Sequence, residues 1–203
     1  MQRSDIGREL TLEVLSDRYR IIKQNKRRRD PMDKQLTVLG FALGMEREGR
    51  DFFTKAAGTA RDEEARKVFL DLAKMEEGHI AYIQANIDSL TREGKWTPEP
   101  VSGLDEDKMR EQVFQARGKG KGPEPELPVG EVTTELSALR IALAIENDLY
   151  GFYGRAALHA TEPDAKAVFQ KLAGWEKGHR EMLEAQYETM KEDLWSSIGF
   201  APF

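Results

Sequence analysis

The sequence contains no cysteine among its 203 residues. This absence excludes a disulfide framework, a cysteine-ligated zinc or iron–sulfur site, and a cysteine nucleophile. The sequence also has no apolar run near the roughly 18 residues of a membrane span, and its N-terminus lacks the apolar core of a signal peptide. We therefore expect a cytoplasmic protein without a transmembrane segment. The formal charge of −5 argues against nucleic acid as a partner.

The two halves of the chain repeat each other. When the sequence is shifted by 100 residues, residues 36–90 align with 136–190 without a gap, and 18 of the 55 positions are identical. Ordinary composition would give about three or four identities. The chain therefore contains two equivalent units, and its 39% hydrophobic and 33% charged residues are typical of a folded, helix-rich protein.

Each repeat is predicted to form a helical hairpin. Apolar residues recur at helical spacing on both sides of a break, which falls at residues 58–62 in the first repeat and at 161–163 in the second. Pro163 suits the first turn of a helix. The pattern predicts an all-α four-helix bundle, with helices at residues 33–59, 62–92, 133–160 and 162–194.

A long connection separates the two hairpins. We divide the bundle domain, residues 31–203, into hairpins at 33–93 and 133–194 and a crossover at 94–132. The crossover is rich in proline and glycine, although residues 105–116 could form a short helix. If a two-fold axis perpendicular to the bundle relates the hairpins, the chain must travel about 45 Å between them. Roughly 14 extended residues cover that distance, whereas an up-down-up-down bundle would need only a short turn.

Residues 1–30 form a basic N-terminal arm. Nine basic and five acidic residues give the arm a charge of +4, against −9 for the rest of the chain. Apolar residues at helical spacing between Ile6 and Val14 predict an amphipathic helix. We interpret the arm as solvated or packed on a neighbouring subunit, and an electrostatic contact with a membrane or another partner is the alternative.

A carboxylate and an imidazole three residues apart occur once in each repeat, on one face of a helix. A further glutamate lies 30 residues upstream of each pair. With residue 61 as the hairpin tip, Glu46 precedes the tip by 15 residues and Glu76 follows it by 15, and the second repeat gives the same count. These groups can therefore meet at one level of the bundle. The six candidate metal ligands are Glu46, Glu76, His79, Glu146, Glu176 and His179.

Burial of these groups requires a counter-charge. Apolar residues flank both sets, which indicates that the side chains point into the bundle. Four buried carboxylates would each be costly in free energy without compensation, and two divalent cations would balance their charge. Carboxylate oxygens combined with imidazoles suit iron or manganese. We therefore predict two iron ions, with manganese or a mixed pair as alternatives. For a single Glu-x-x-His motif the alternative is a solvated surface pair, but here the motif occurs twice at the same offset.

The ligand pattern resembles that of the ferritin-like di-iron carboxylate proteins. Residues 142–153 and 168–179 are similar to helices of the rubrerythrins, and the resemblance covers residues 33–193. It implies a ferritin-like bundle in which two glutamates bridge a pair of irons and a glutamate and a histidine complete each side. The implied bridging ligands are Glu76 and Glu176, and the implied outer ligands are Glu46, His79, Glu146 and His179.

The chain departs from the rubrerythrins in two ways. Many rubrerythrins carry a rubredoxin domain whose four cysteines serve electron transfer, whereas this chain has none. The resemblance therefore implies that electrons come from an external donor protein. Rubrerythrins also commonly carry a carboxylate three residues after the third-helix glutamate, where this chain has Leu149. This difference favours a symmetric six-ligand centre and weakens the assignment of peroxidase activity.

Tyr153 is the candidate catalytic residue, in a supporting role. Tyr150 and Tyr153 follow Glu146 by four and seven residues, on the same predicted face. In the first repeat the position equivalent to Tyr153 is Phe53. Tyr153 could hydrogen-bond a metal ligand or supply an electron. The alternative is a core aromatic residue with a satisfied hydroxyl.

These observations favour an oxidoreductase in which two Fe(II) ions reduce O2 or H2O2. The expected activity is that of a rubrerythrin-like peroxidase or ferroxidase in oxidative-stress defence or iron handling. A non-catalytic protein for iron binding, iron storage or metal transfer is the alternative. We expect a homodimer, because symmetric dimers are the commonest oligomers.

Overall fold

The computed structural model describes residues 6–99 and 129–199. Nearly all of these residues are helical, and none forms a strand. The four helices are α1 (Ile6–Thr59), α2 (Glu63–Glu93), α3 (Val129–His159) and α4 (Pro163–Ser197). None of them has an apolar stretch long enough to cross a bilayer.

The structure confirms the four predicted helices, with two differences. The helix predicted for the arm and the first bundle helix form one continuous helix of 54 residues. The other helices begin or end within four residues of the predicted positions. The short helix predicted at residues 105–116 lies outside the described part of the chain.

Local chemistry determines where the hairpin helices begin and end. The side chain of Asp62 accepts a hydrogen bond from the Ala65 N–H at 2.6 Å, which satisfies an otherwise unpaired donor in the first turn of α2. Gly94 ends α2 in the left-handed conformation, with φ of 65°, and its N–H donates to the Leu90 carbonyl. Pro163 occupies the first position of α4, as the sequence predicted.

Two hydrogen bonds between the hairpins establish their relative direction. Near the first hairpin tip, the Asp62 N–H donates to Glu135, close to the start of α3, at 3.1 Å. At the second tip, Gln35 on α1 donates to Glu162 at 2.8 Å. α1 and α3 are therefore antiparallel. α2 therefore ends near the second tip, while α3 begins near the first. These positions agree with the predicted crossover, of which residues 100–128 lie outside the described part of the chain.

The apolar core consists of two clusters at opposite ends of the bundle. One lies toward the first hairpin tip and includes Phe53, Phe69 and Met182. The other lies toward the second tip and includes Leu39, Tyr82 and Tyr153. Between them is a level of buried carboxylates and imidazoles, so apolar packing on both sides separates these polar groups from the ends of the bundle.

Candidate metal centre

The structure brings the six predicted ligands together in the middle of the bundle. Each of the four helices contributes, because each ligand lies at nearly the same distance from its hairpin tip. No ligand is more than 1% exposed. The residues are Glu46 on α1, Glu76 and His79 on α2, Glu146 on α3, and Glu176 and His179 on α4.

Two glutamates each approach both histidines. Glu76 places Oε2 at 3.2 Å from Nδ1 of His79 and Oε1 at 3.1 Å from Nδ1 of His179. Glu176 places Oε1 at 3.1 Å from Nδ1 of His79 and Oε2 at 3.3 Å from Nδ1 of His179. Each carboxylate therefore presents one oxygen to each side of the centre, which is the arrangement required of a bridging ligand.

The other two glutamates each approach one histidine. Oε2 of Glu46 lies 3.3 Å from Nδ1 of His79, and Oε1 of Glu146 lies 3.4 Å from Nδ1 of His179. The centre therefore divides into a first half-site, Glu46 with His79, and a second half-site, Glu146 with His179. The two imidazole rings lie parallel, with centroids 4.9 Å apart.

The pKa values distinguish the two outer glutamates, Glu46 and Glu146, from the two shared glutamates, Glu76 and Glu176. Burial, followed by the charge of Glu76, raises the pKa of Glu46 to about 8. Burial also raises the pKa of Glu146 well above its usual value. Burial acts in the same direction on Glu76 and Glu176, but hydrogen bonds and nearby imidazoles outweigh it and lower the pKa of both carboxyls. Without metal, the outer carboxyls therefore hold the protons.

The donor set fits a pair of metal ions. Both carboxylate oxygens of Glu76, Glu146 and Glu176 are buried and receive no backbone or hydroxyl hydrogen bond from the described residues, so their polar neighbours are the two imidazoles and one another. Buried carboxylates need a partner, and hard cations bind such oxygens together with imidazole. Ligand atoms of four of the residues also lie within 4.8 Å of one another, and these residues are Glu76, His79, Glu176 and His179.

Comparison with known proteins agrees with this geometry. The rubrerythrin family model matches residues 104–187, which include the candidate ligands Glu146, Glu176 and His179. Over these residues, which make up less than half of the chain, the sequence is similar to the rubrerythrins. That family implies a di-metal carboxylate site, which the buried cluster of glutamates and histidines matches in residue type. A search of curated proteins gives no significant match.

One solved structure is similar to this chain in fold. It is a two-domain protein from Anabaena variabilis that contains DJ-1/ThiJ/PfpI-like and ferritin-like domains. The match has a TM-score of 0.55 at 19% sequence identity and covers 79% of this chain. The chain spans only 38% of that protein. The likeness shows that the bundle is ferritin-like.

The structure separates the two tyrosines that the sequence placed on one face. Tyr153 is fully buried, and its hydroxyl donates a hydrogen bond to Oε1 of Glu46, across the bundle from its own helix. Tyr150 is 40% exposed and lies under the guanidinium of Arg180, 5.2 Å from the ring centroid. Tyr150 therefore lies at the exposed edge of the face that carries Tyr153, because a step of three residues rotates a side chain by about 60° around the helix axis.

An aromatic contact at the centre was missed by the sequence reasoning. The indole of Trp175 stacks on the imidazole of His79, with centroids 4.9 Å apart and an interplanar angle of 9°. Tyr82 packs edge-on against the same indole at 5.2 Å. Trp175 is partly exposed, so it connects the buried imidazole with the surface. The sequence offered one weak indication of this contact, because Trp175 differs from its repeat equivalent, Met75.

The remaining acidic and imidazole groups near these positions lie outside the centre. Glu48, Glu77, Asp148 and His159 are all exposed. Leu149 is fully buried and packs in the core. The position that carries a carboxylate in many rubrerythrins is therefore apolar here.

Proposed function

We propose that the six residues hold two iron ions and that the loaded centre oxidises Fe(II) with O2 or H2O2. The observation that carries this proposal is the pair of carboxylates, Glu76 and Glu176, each with one oxygen toward each histidine. Two metal ions held by such shared carboxylates would be able to act together on one oxidant. A ferroxidase and a peroxidase share this requirement, and both are oxidoreductases.

The surrounding residues provide a dry and ordered site. Bound iron would supply electrons to the oxidant, one from each ion. Core side chains on both sides of the ligand level exclude water, which strengthens the electrostatic interactions within the site. Burial raises the pKa of Tyr153 well above its usual value, so the hydroxyl stays protonated. It therefore acts as the donor in the hydrogen bond to Glu46.

Anaerobic titration with Fe(II), followed by mixing with oxidant, tests the proposal. We expect two equivalents to bind per chain, and we expect stopped-flow absorbance to show ferric product after mixing with O2 or H2O2. The relative rates with the two oxidants distinguish ferroxidase from peroxidase. Iron binding without consumption of either oxidant would instead support the alternative of storage or metal transfer, and the absence of iron binding would reject both.

An external electron-donor protein forms part of the proposal. The chain has no cysteine with which to bind an iron–sulfur centre of its own. Trp175 supports an entry route for electrons, because it is partly exposed and in ring contact with His79. If the centre holds iron, Trp175 would give electrons from a reduced iron–sulfur protein a point of entry in direct contact with the candidate ligand His79.

Substitution of the indole tests this route. We expect Trp175→Phe to retain the ring contact and both metals but to slow re-reduction by a reduced iron–sulfur protein about tenfold, equivalent to about 1.4 kcal/mol in activation free energy. Phenylalanine is much harder to oxidise than tryptophan. The decay of the ferric absorbance in a single turnover measures the rate. Trp195→Phe is the matched control, since Trp195 lies 16 residues beyond His179, or roughly 24 Å along α4. Equal rates in both variants would contradict the route.

The oligomeric state and cellular location complete the proposal. A homodimer in the cytoplasm, with no nucleic acid partner, stays a prediction. Sedimentation equilibrium of the full chain would test the dimer.

A further inference from the structure

The two half-sites have the same ligands but different neighbours. In the repeat, Tyr153 is equivalent to Phe53, and both side chains are fully buried. The Tyr153 hydroxyl donates a hydrogen bond to Oε1 of Glu46 in the first half-site. Phe53 has no hydroxyl to offer, so Glu146 lacks this contact, and Nδ1 of His179 lies 3.4 Å from its Oε1.

The two rings are placed almost identically. Phe53 stacks on Phe69 with centroids 6.5 Å apart and an interplanar angle of 18°. Tyr153 stacks on Phe169, the repeat equivalent of Phe69, at 6.5 Å and 22°. Because the aromatic frameworks match, the chemical difference between the repeats at this position is one hydroxyl group. The chain therefore contains its own control for the effect of that hydroxyl.

The hydroxyl orients one ligand. Because Oε1 of Glu46 accepts from Tyr153, the carboxylate is held with Oε2 toward Nδ1 of His79, at 3.3 Å. Hydrogen bonds of this kind fix the orientation of metal ligands, and their loss typically lowers metal affinity by about 10–100-fold. Glu146 must instead lose its rotational freedom when a metal binds, which reduces the net free energy of binding.

A second restraint acts on the same half-site. The ring of His79 lies between the ring of His179 and the indole of Trp175, with centroids 4.9 Å away on both contacts. The repeat equivalent of Trp175 is Met75, a flexible side chain without an aromatic face. The imidazole of His79 is thus restrained by the rigid indole of Trp175, whereas the first repeat has no aromatic residue at the equivalent position.

We propose that the two half-sites load unequally. The first half-site, Glu46 with His79, binds metal first and tightly, and the second, Glu146 with His179, binds later and exchanges its metal. Tyr153 is the positioning residue that makes the difference. The inference rests on the proposed metal centre, and it adds that a protein with one metal per chain is a defined species.

Cobalt(II) is a suitable probe, because its binding can be followed without turnover. For the full-length chain we expect calorimetry to show two binding steps whose dissociation constants differ by about 10–100-fold. Anomalous scattering from crystals grown with one equivalent of Co(II) should place the metal beside Nδ1 of His79. Equal occupancy of both positions, or preference for His179, would overturn the inference.

Exchange of the hydroxyl between the repeats provides the decisive variants. Tyr153→Phe should weaken the first binding step by about 10–100-fold and bring the two steps together. The combination Tyr153→Phe with Phe53→Tyr should move the preferred position toward His179. Thermal unfolding checks that each variant folds, and Tyr153→Phe alone decides the question if a buried hydroxyl at position 53 prevents folding.

The possible failures are distinguishable. Unchanged binding steps in Tyr153→Phe would overturn the inference while leaving the metal centre intact. If the wild-type chain bound no Co(II) and no Fe(II), the proposed function would fail, and this inference would fail with it.

Discussion

Glu76→Gln is expected to remove the dinuclear centre and to reduce Fe(II) oxidation at least about 100-fold. Glu76 is one of two carboxylates that face both histidines, at 3.2 Å and 3.1 Å. The amide of glutamine has one oxygen and no negative charge, so it cannot serve two metal ions. A loss of 100-fold corresponds to about 2.7 kcal/mol of transition-state stabilisation. Metal analysis after dialysis should give one ion per chain or fewer, and stopped-flow absorbance gives the rate.

The neighbouring residue provides the matched control for that experiment. Glu77 is exposed and lies on another face of the same helix, so Glu77→Gln should keep both metals and the full rate. Glu176→Gln should repeat the loss seen in Glu76→Gln, because Glu176 has the same relation to both histidines. Two metals and undiminished oxidation in Glu76→Gln would contradict the bridging role.

The metal-free protein is expected to become less stable as the pH rises from about 5 to 9. Burial raises the pKa of Glu46 to about 8, whereas the ordinary value is 4.5. Between these values the unfolded chain has lost a proton that the folded chain keeps, so the free energy of unfolding falls as the pH increases. At about 1.4 kcal/mol per pKa unit, this one group changes the stability by on the order of 4 kcal/mol. Glu146 acts in the same direction.

The shared glutamates do not cancel this trend. The pKa values of Glu76 and Glu176 are lowered. In both the folded and the unfolded chain these groups are largely ionised above about pH 5, since the ordinary pKa of glutamate is 4.5. Their contribution is present across the whole range and is lost only under more acidic conditions. The outer carboxyls therefore determine the slope that these four groups contribute between pH 5 and 9.

Metal binding should reverse the sign of the pH dependence. Bound cations replace the protons on the outer carboxyls, so metal affinity increases with pH as proton competition weakens. At a free metal concentration 100 times the dissociation constant, stabilisation is about 2.7 kcal/mol per site. Denaturant unfolding of metal-free and loaded protein at several pH values measures both effects.

Glu46→Gln isolates the contribution of Glu46. The metal-free variant should lose a substantial part of the wild-type slope between pH 5 and 9, because the amide does not titrate, while Glu146 keeps its own contribution. Glu48→Gln, at an exposed position on the same helix, should keep that slope. If metal-free wild type and Glu46→Gln showed the same pH dependence, the protonated state of Glu46 in the folded protein would be refuted.

The residues proposed as ligands were accessible from the sequence because the repeat made them visible. A single Glu-x-x-His motif carries little information, but two copies at an offset of 100 residues, each with an upstream glutamate, have a common geometric meaning. Helical rise converts equal counts from the hairpin tip into equal heights. The crossover followed from length alone, since its residues far exceed what a short turn needs.

Other features depended on how the helices pack. Tyr153 follows Glu146 on its own helix, yet its hydroxyl reaches Glu46, 107 residues away. No spacing rule relates these two residues, because the contact forms only where α1 and α3 lie side by side in antiparallel directions. The exposure of Tyr150 likewise depends on the rotation of α3 about its axis, which packing determines.

The sequence by itself thus determined the four helices and the level at which the six candidate ligands meet, because these depend on apolar periodicity and on rise per residue. Only the tertiary structure decided which carboxylate accepts the hydrogen bond from the Tyr153 hydroxyl and which imidazole stacks on Trp175. Both are contacts between hairpins, and a repeat that makes two halves nearly identical in sequence does not specify how their few differing side chains meet.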